Sequence, residues 1–285
     1  MSAQVDGVTD AAGLLAAERQ SHIVARLRQG GTARVRELAH ALGVSEMTIR
    51  RDLDALAATG AIEKFYGGAR LLGTLSHDEP GFAAKQKRQS AEKAAIAAEA
   101  VRHVSEGMVV GISGGTTTHA FARQLREVGG LTIVTNSIPV ADQFRGAGGV
   151  GGVGGKTPYQ GTVLITGGER TVSDALVGPI AVSALRQLHV DLLFLGVHGA
   201  DATAGLTTPN LLESEVNQVF LSAATRVAVL ADHTKWGTVG MSTFAPLAAA
   251  DLFVTDDGLP GEARALLAEQ VGTLVVAGTE AAGSR

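Results

Sequence analysis

The chain has 285 residues, 45% apolar and 18% charged, enough for two domains with buried cores and incompatible with global disorder. It contains no cysteine, so disulfides, thiolate zinc sites and cysteine nucleophiles are excluded. No apolar run reaches the ~18 residues of a membrane helix, and the first basic residue, Arg19, follows Asp6 and Asp10, unlike a secretory signal. A cytoplasmic protein without a membrane partner is expected, with residues 1–18 as a disordered tail.

The net charge of -4 argues against nucleic acid only until its distribution is read. Residues 19–72 hold nine Lys/Arg and five acids, a balance of +4, which leaves -8 for the rest. A basic head on an acidic body is expected when only one domain meets phosphates.

In the head, Ile23, Val24 and Leu27 predict a short amphipathic helix that stops at Gly30-Gly31. Val35, Leu38, Ala39 and Leu42 repeat at helical spacing and predict a second helix from about Arg34. Gly43 can take the left-handed conformation that ends it, and Ser45 is placed to cap a third helix. Ile49, Leu53 and Leu56 line one face of that third helix, Arg50, Arg51 and Asp54 point elsewhere, and Gly60 ends it. Two short helices around a glycine-containing turn make a helix-turn-helix, whose second helix enters the major groove. The stretch 61–66 followed by Gly67-Gly68 suits a β-hairpin wing, with Lys64 and Tyr66 able to reach phosphates. Three short helices with a few arginines also occur in plain interaction domains, so the pattern alone leaves that alternative open.

The run Val44-Ser45-Glu46-Met47-Thr48-Ile49-Arg50-Arg51-Asp52-Leu53, followed by Gly60 and Tyr66-Gly67-Gly68-Ala69, resembles the DNA-binding domain of DeoR-family repressors. Lys64 stands where that family usually has arginine, and Tyr66 where it usually has histidine. The resemblance implies DNA contacts from Ser45, Thr48, Arg50 and Arg51, with Asp52 structural, holding an arginine in place.

Residues 73–89 carry glycine and proline with no clear period and are expected to be a linker to a body spanning 90–285. An alanine-rich helix is predicted over 90–104. Apolar strands follow at 108–112, 131–135, 162–166, 191–197, 226–232, 252–255 and 274–276, separated by helices. That alternation predicts a larger C-terminal α/β domain with a mostly parallel sheet behind an N-terminal winged helix-turn-helix.

Ligands of such sheets sit outside the carboxyl ends of the strands. Small or polar residues stand at five of those ends: Ser113-Gly114-Gly115-Thr116-Thr117-Thr118, Asn136-Ser137, Gly167-Gly168-Glu169, His198-Gly199-Ala200-Asp201 and His233-Thr234-Lys235-Trp236-Gly237. The first combines glycines, hydroxyls and a helix N-terminus, which suits a phosphate, and Lys235 can add a positive charge. One glycine loop is weak, since such turns end many strands in empty sheets; five together predict a polar pocket. His198 and His233 are placed to touch a ligand, and Trp236 either stacks on one or packs into the body. No compact metal-ligand spacing appears, so neither a metal nor a cofactor is implied.

The body resembles the DeoR family as well, through Glu92-Lys93, Ser113-Gly114-Gly115-Thr116-Thr117, Val134-Thr135-Asn136-Ser137, Thr166-Gly167-Gly168, Leu176-Val177-Gly178-Pro179, Phe194-Leu195-Gly196-Val197, Gly205-Leu206-Thr207, the stretch Ala231 to Gly237, and Val254-Thr255-Asp256. The family's sensor domain is similar in fold to ribose-5-phosphate isomerase and usually answers to phosphorylated sugars or polyols. The resemblance implies a phosphate loop at Ser113, Gly114, Gly115, Thr116 and Thr117. It makes Asn136, Gly168, Asp201, Glu213, Asn217, Asp232 and Lys235 candidates for the rest of an effector pocket.

One segment departs from the family. Residues 146–161 hold eight glycines in sixteen positions and read as a flexible surface loop. Gly155-Lys156-Thr157 imitates the end of a P-loop, but the pattern needs glycine where Val150 stands and a strand directly before it. The expectation is a repressor that binds an operator in double-stranded DNA as a homo-oligomer and is released by a phosphorylated sugar or polyol. The alternatives are a sugar-phosphate isomerase with an accessory DNA-binding head, and a DNA-binding protein whose body only oligomerises.

Overall fold

A computed structural model describes residues 16–30, 32–58, 62–65, 67–71, 81–144 and 159–279. The chain divides into two compact units, Met1–Thr74 and Leu75–Arg285. Tyr66, Gly60 and the Gly155-Lys156-Thr157 stretch lie outside the described residues, as do most of the tail and of the glycine-rich segment and the first part of the linker, 73–80.

In the first unit, α1 (Ala16–Gly30) leads through a three-residue strand, β1 (Thr32–Arg34), into α2 (Val35–Ala41) and then α3 (Glu46–Ala58). Gly43 takes φ +63° in the turn between the two helices, the left-handed region that a β-carbon disfavours. The wing is an antiparallel pair, β2 (Ile62–Phe65) and β3 (Gly68–Leu71), and β1 adds to β3, giving the order β1-β3-β2. Ile23 and Leu27 of α1, Leu38 of α2, Ile49 and Leu53 of α3, and Ile62 of β2 form one buried core. The apolar face predicted for α3 is the buried one, while Arg50, Arg51 and Asp54 are exposed. Strand β1 was not expected, because three residues show no period.

The second unit opens with α4 (Phe82–Gln86), a helix inside the stretch read from sequence as a linker, and α5 (Ser90–Val101). Then come β4 (Val109–Ile112), α6 (Thr116–Leu125), β5 (Thr132–Thr135), α7 (Ile138–Asp142) and β6 (Thr162–Ile165). A small hairpin, β7 (Glu169–Arg170) with β8 (Leu176–Val177), precedes α8 (Pro179–Leu185) and β9 (Val190–Gly196). The remainder is β10 (Gly199–Asp201), β11 (Gly205–Thr208), α9 (Leu211–Ser222), β12 (Ala224–Leu230), a 3-10 turn at His233–Lys235, β13 (Ser242–Ala245), β14 (Leu252–Asp256), α10 (Gly261–Gln270) and β15 (Leu274–Ala277).

The seven predicted body strands form one parallel sheet in the order β15-β14-β12-β9-β4-β5-β6. Both faces are covered along the inner strands, which is why these are apolar on successive residues; at the edge, Leu164 and Ile165 of β6 are exposed. Leu192 and Phe194 of β9 pack with Ile96 of α5 and Phe121 of α6 on one face. Leu193 and Leu195 pack with Val182 of α8 and Phe220 of α9 on the other. The chain winds outward from β4 to β6 in one direction and from β9 to β15 in the other. The order therefore reverses between β4 and β9, and a crevice opens beyond their carboxyl ends. A second, antiparallel sheet, β10-β11-β13, was not expected. No described helix is long and apolar enough to cross a membrane.

Candidate functional site

In the first unit, the exposed side of α3 carries the residues singled out for DNA. The Ser45 side chain receives the Thr48 amide at 3.1 Å and lies 2.9 Å from the Thr48 hydroxyl, so it caps α3 as predicted. Arg50 lies 3.6 Å from Glu46 one turn earlier, with both side chains about half exposed, and Arg51 is exposed beside it. Met47, which the sequence reading passed over, is 62% exposed at the start of the same helix. Lys64 of β2 pairs with Asp54 of α3, tying the wing to the helix.

Asp52 faces inward. It is buried, and Arg19 of α1 reaches it through Nε at 2.5 Å and Nη2 at 3.0 Å. That hydrogen bond, opposed by burial and aided by the carboxylate's charge, raises the Arg19 pKa further. Asp52 thus holds an arginine, one that comes from α1, and fixes the pitch of α3.

In the second unit, a cleft of about 660 Å3, its open mouth included, lies beyond the ends of β4 and β9. Gly114, Gly115, Thr116 and Thr117 form one wall at the N-terminus of α6, where backbone amides point outward and the helix dipole favours an anion. Asn136, Glu213, Asn217 and Lys235 also line the cleft. These eight are the expected pocket residues that the fold gathers around one space.

Asn136 holds the loop in place. Its Oδ1 accepts the Gly114 amide at 2.9 Å and its Nδ2 donates to the Leu176 carbonyl at 3.1 Å, so β8 and the loop are pinned by one buried side chain. On the opposite wall, Glu213 accepts hydrogen bonds from the hydroxyls of Thr171 at 3.0 Å, Thr208 at 3.1 Å and Ser173. Its carboxylate is held in one orientation.

Four expected residues do other work. Ser113 is buried beneath the loop, where its hydroxyl accepts the Gly196 amide at 2.9 Å and so ties β4 to β9 at the point of reversal. Gly168 has φ +120°, and a β-carbon there would sit 2.4 Å from the Val177 carbonyl oxygen; glycine is needed to close the β7–β8 hairpin. Asp201 turns the chain after β10, accepting the amides of Thr203 and Ala204, each at 2.9 Å. Asp232 is buried and caps the 3-10 turn that carries Lys235, receiving the Thr234 amide at 3.1 Å.

Sequence reasoning missed Lys85, Ser173 and Thr208, all of which line the cleft. Lys85 sits on α4, too short to show a period, and the two hydroxyls sit on short antiparallel pieces. His198 lines the cleft; burial first, then the fields of Lys235 and Lys85, push its imidazole down to about 3, so it is neutral at physiological pH. His233 is turned instead to Asp256, 2.6 Å away. Trp236 packs against the core. Among the described residues no cluster of three or more His, Asp or Glu is arranged to hold a metal.

The two units define a transcription regulator with a winged helix-turn-helix reader and a body holding a polar, partly cationic cleft. The DeoR-like helix-turn-helix domain family matches residues 19–74, and the DeoR C-terminal sensor domain family matches residues 88–257. The chain is 35% identical to the HTH-type transcriptional regulator GlpR of Haloferax volcanii, over 93% of this chain and 99% of that protein. It is 31% identical to the lactose phosphotransferase system repressor of Staphylococcus aureus, over 84% of this chain and 91% of that one. Among solved structures, ribose 5-phosphate isomerase A of Methanocaldococcus jannaschii matches at 20% identity and TM-score 0.34, covering 51% of this chain and 54% of that one; so slight a likeness says nothing about activity. The chain belongs to the DeoR family of DNA-binding transcriptional regulators, and is a regulator rather than an enzyme.

Proposed function

We propose that this regulator represses an operon of carbohydrate metabolism and is released from its operator when a phosphorylated sugar or polyol enters the body's cleft. The observation that carries this reading is the cleft at the β4–β9 reversal. A glycine-threonine loop on a helix N-terminus and the ammonium groups of Lys85 and Lys235 suit a phosphate, and Asn217 and the clamped Glu213 on other walls suit hydroxyls. The sugar-linked name of the Staphylococcus aureus lactose phosphotransferase system repressor supports the pathway class. Arg50, Arg51, Ser45 and Thr48 meet the operator, with Lys64 and Tyr66 on the wing. Paired half-sites favour a homo-oligomer working in the cytoplasm.

The test is a binding titration on DNA from the regulator's own upstream region, with and without a panel of sugar and polyol monophosphates. One compound that weakens operator binding at saturation supports the reading and names the effector. Operator affinity that no phosphorylated compound changes, despite its binding to the protein, refutes release by such a ligand.

A further inference from the structure

Helix α4 is the first described element after the segment that joins the two units, and one of its side chains, Lys85, lines the cleft. A five-residue helix has little stability of its own, so its position is set by what it touches. At its start, the Phe82 amide donates to the Val172 carbonyl at 3.4 Å, one residue before the cleft-lining Ser173. The Phe82 ring meets His119 of α6 edge-on, with centroids 5.4 Å apart. At its end, the buried Lys93 of α5 donates to the carbonyls of Lys85 at 2.8 Å and Arg88 at 2.5 Å.

The joint between α4 and α5 spans residues 87–89 and ends on Gln89, at φ +50° and ψ +46°. A non-glycine residue in that left-handed region is uncommon and is kept there by its surroundings. Its side-chain amide lies 3.4 Å from the ring of His233, in the same 3-10 turn as Lys235. The ties of Phe82 and Gln89 therefore land on elements that also line the cleft: the β7–β8 hairpin, α6 and the turn at His233–Lys235.

We propose that α4 is the coupling element of this regulator: an anion in the cleft engages Lys85 and shifts α4 about the Gln89 joint, changing what the body presents to the segment leading to the DNA-binding head. The proposal rests on the cleft being an anionic effector site. Lys93 is a positioning residue, capping the carbonyl end of α4 without lining the cleft. A ligand shifts this equilibrium only by binding one arrangement of α4 better than the other, and Lys85 supplies that difference.

The experiment uses the full chain with glycerol 3-phosphate, ribose 5-phosphate, glucose 6-phosphate and fructose 1-phosphate as probes. Hydrogen exchange is followed at 113–118 and 82–89, alongside operator titrations at saturating probe. In the native protein a binding probe is expected to slow exchange in both segments and weaken operator affinity by about 10-fold or more. Lys85→Met binds the probe more weakly, but at saturation the probe still protects 113–118 while changing operator affinity less than about 2-fold, and Lys85→Arg restores the response. Lys93→Gln retains probe binding and loses part of the response.

Protection of 113–118 without any change at 82–89 overturns the coupling and leaves the cleft assignment standing. So does a Lys85→Met protein released as fully as the native one. If Lys85→Met no longer binds any probe and Lys93→Gln responds normally, Lys85 serves affinity alone and the coupling is refuted. If no probe protects 113–118 in the native protein, the effector-site reading fails and the coupling falls with it.

Discussion

Replacing Asn136 by alanine should separate the cleft from the rest of the protein. The side chain is 2% exposed and makes two hydrogen bonds, to the Gly114 amide and the Leu176 carbonyl. Truncation leaves both backbone groups without that partner, the Leu176 carbonyl in the interior and the Gly114 amide at the wall of the cleft. Each such group costs about 1–3 kcal/mol, so the loss is about 2–6 kcal/mol. The main-chain bond from the Leu176 amide to the Asn136 carbonyl, at 2.6 Å, survives and keeps the cost near the lower end. A body of this size shifts by about 2–4 °C per kcal/mol, which predicts a melting point lower by about 5–15 °C. The loop that Asn136 pins is also the anion wall, so effector response should fall while operator binding without effector stays near normal. Asn136→Asp keeps the acceptor for Gly114 but sets a carboxylate against the Leu176 carbonyl and beneath an anion site, so its response should fall further. Thermal unfolding followed by circular dichroism, paired with operator titrations, reads both effects. An Asn136→Ala protein that melts within about 1 °C of native and responds fully would refute the reasoning.

Three further outcomes are expected. Asp52→Ala removes the carboxylate that takes two hydrogen bonds from the Arg19 side chain, which is 13% exposed, and should cost the small head about 2–4 kcal/mol, with operator binding lost before the body unfolds; unchanged operator affinity would show that the pair does not set α3. Arg51→Ala should weaken operator binding by about 10-fold, and a salt dependence shallower by about one ion would assign the side chain to a phosphate, an unchanged slope to a base edge; undiminished affinity would remove Arg51 from the interface. His198 is held near 3 when folded and titrates at about 6.5 when unfolded, so the unfolded chain takes up a proton that the folded chain does not. Stability should therefore fall as pH drops from about 6.5 toward 3, and His198→Gln should flatten that part of a urea-unfolding profile; an identical profile would place the acid sensitivity elsewhere.

Much of this protein is readable in one dimension. The inner body strands bury both faces, so they appear as apolar runs, and helices between them leave a parallel sheet as the natural arrangement. The head is readable because helical spacing separates Ile49 and Leu53 from Arg50 and Arg51 within a few residues. These signals are local: they depend on side chains three or four apart on a helix, or on the length of one strand. The structural role of Asp52 comes from the family resemblance, and the fold identifies its arginine as Arg19.

Strand order is not local, and the cleft depends on it. Ser113 reads as part of a phosphate loop until β9 is found beside β4, where its hydroxyl takes the Gly196 amide. Gly168, Asp201 and Asp232 have the composition of ligand-binding residues, yet each answers to backbone in a hairpin or turn only two or three residues wide. Lys85 shows the opposite case. Nothing near it in the chain marks it, and it reaches the cleft because Lys93 and the hairpin at Val172 hold a five-residue helix against the body. Periodicity and apolar runs thus decided which elements form and that a polar pocket lies at their ends. Only the folding of β4 against β9, residues some eighty positions apart, decided which polar groups face that pocket and which are consumed in building it.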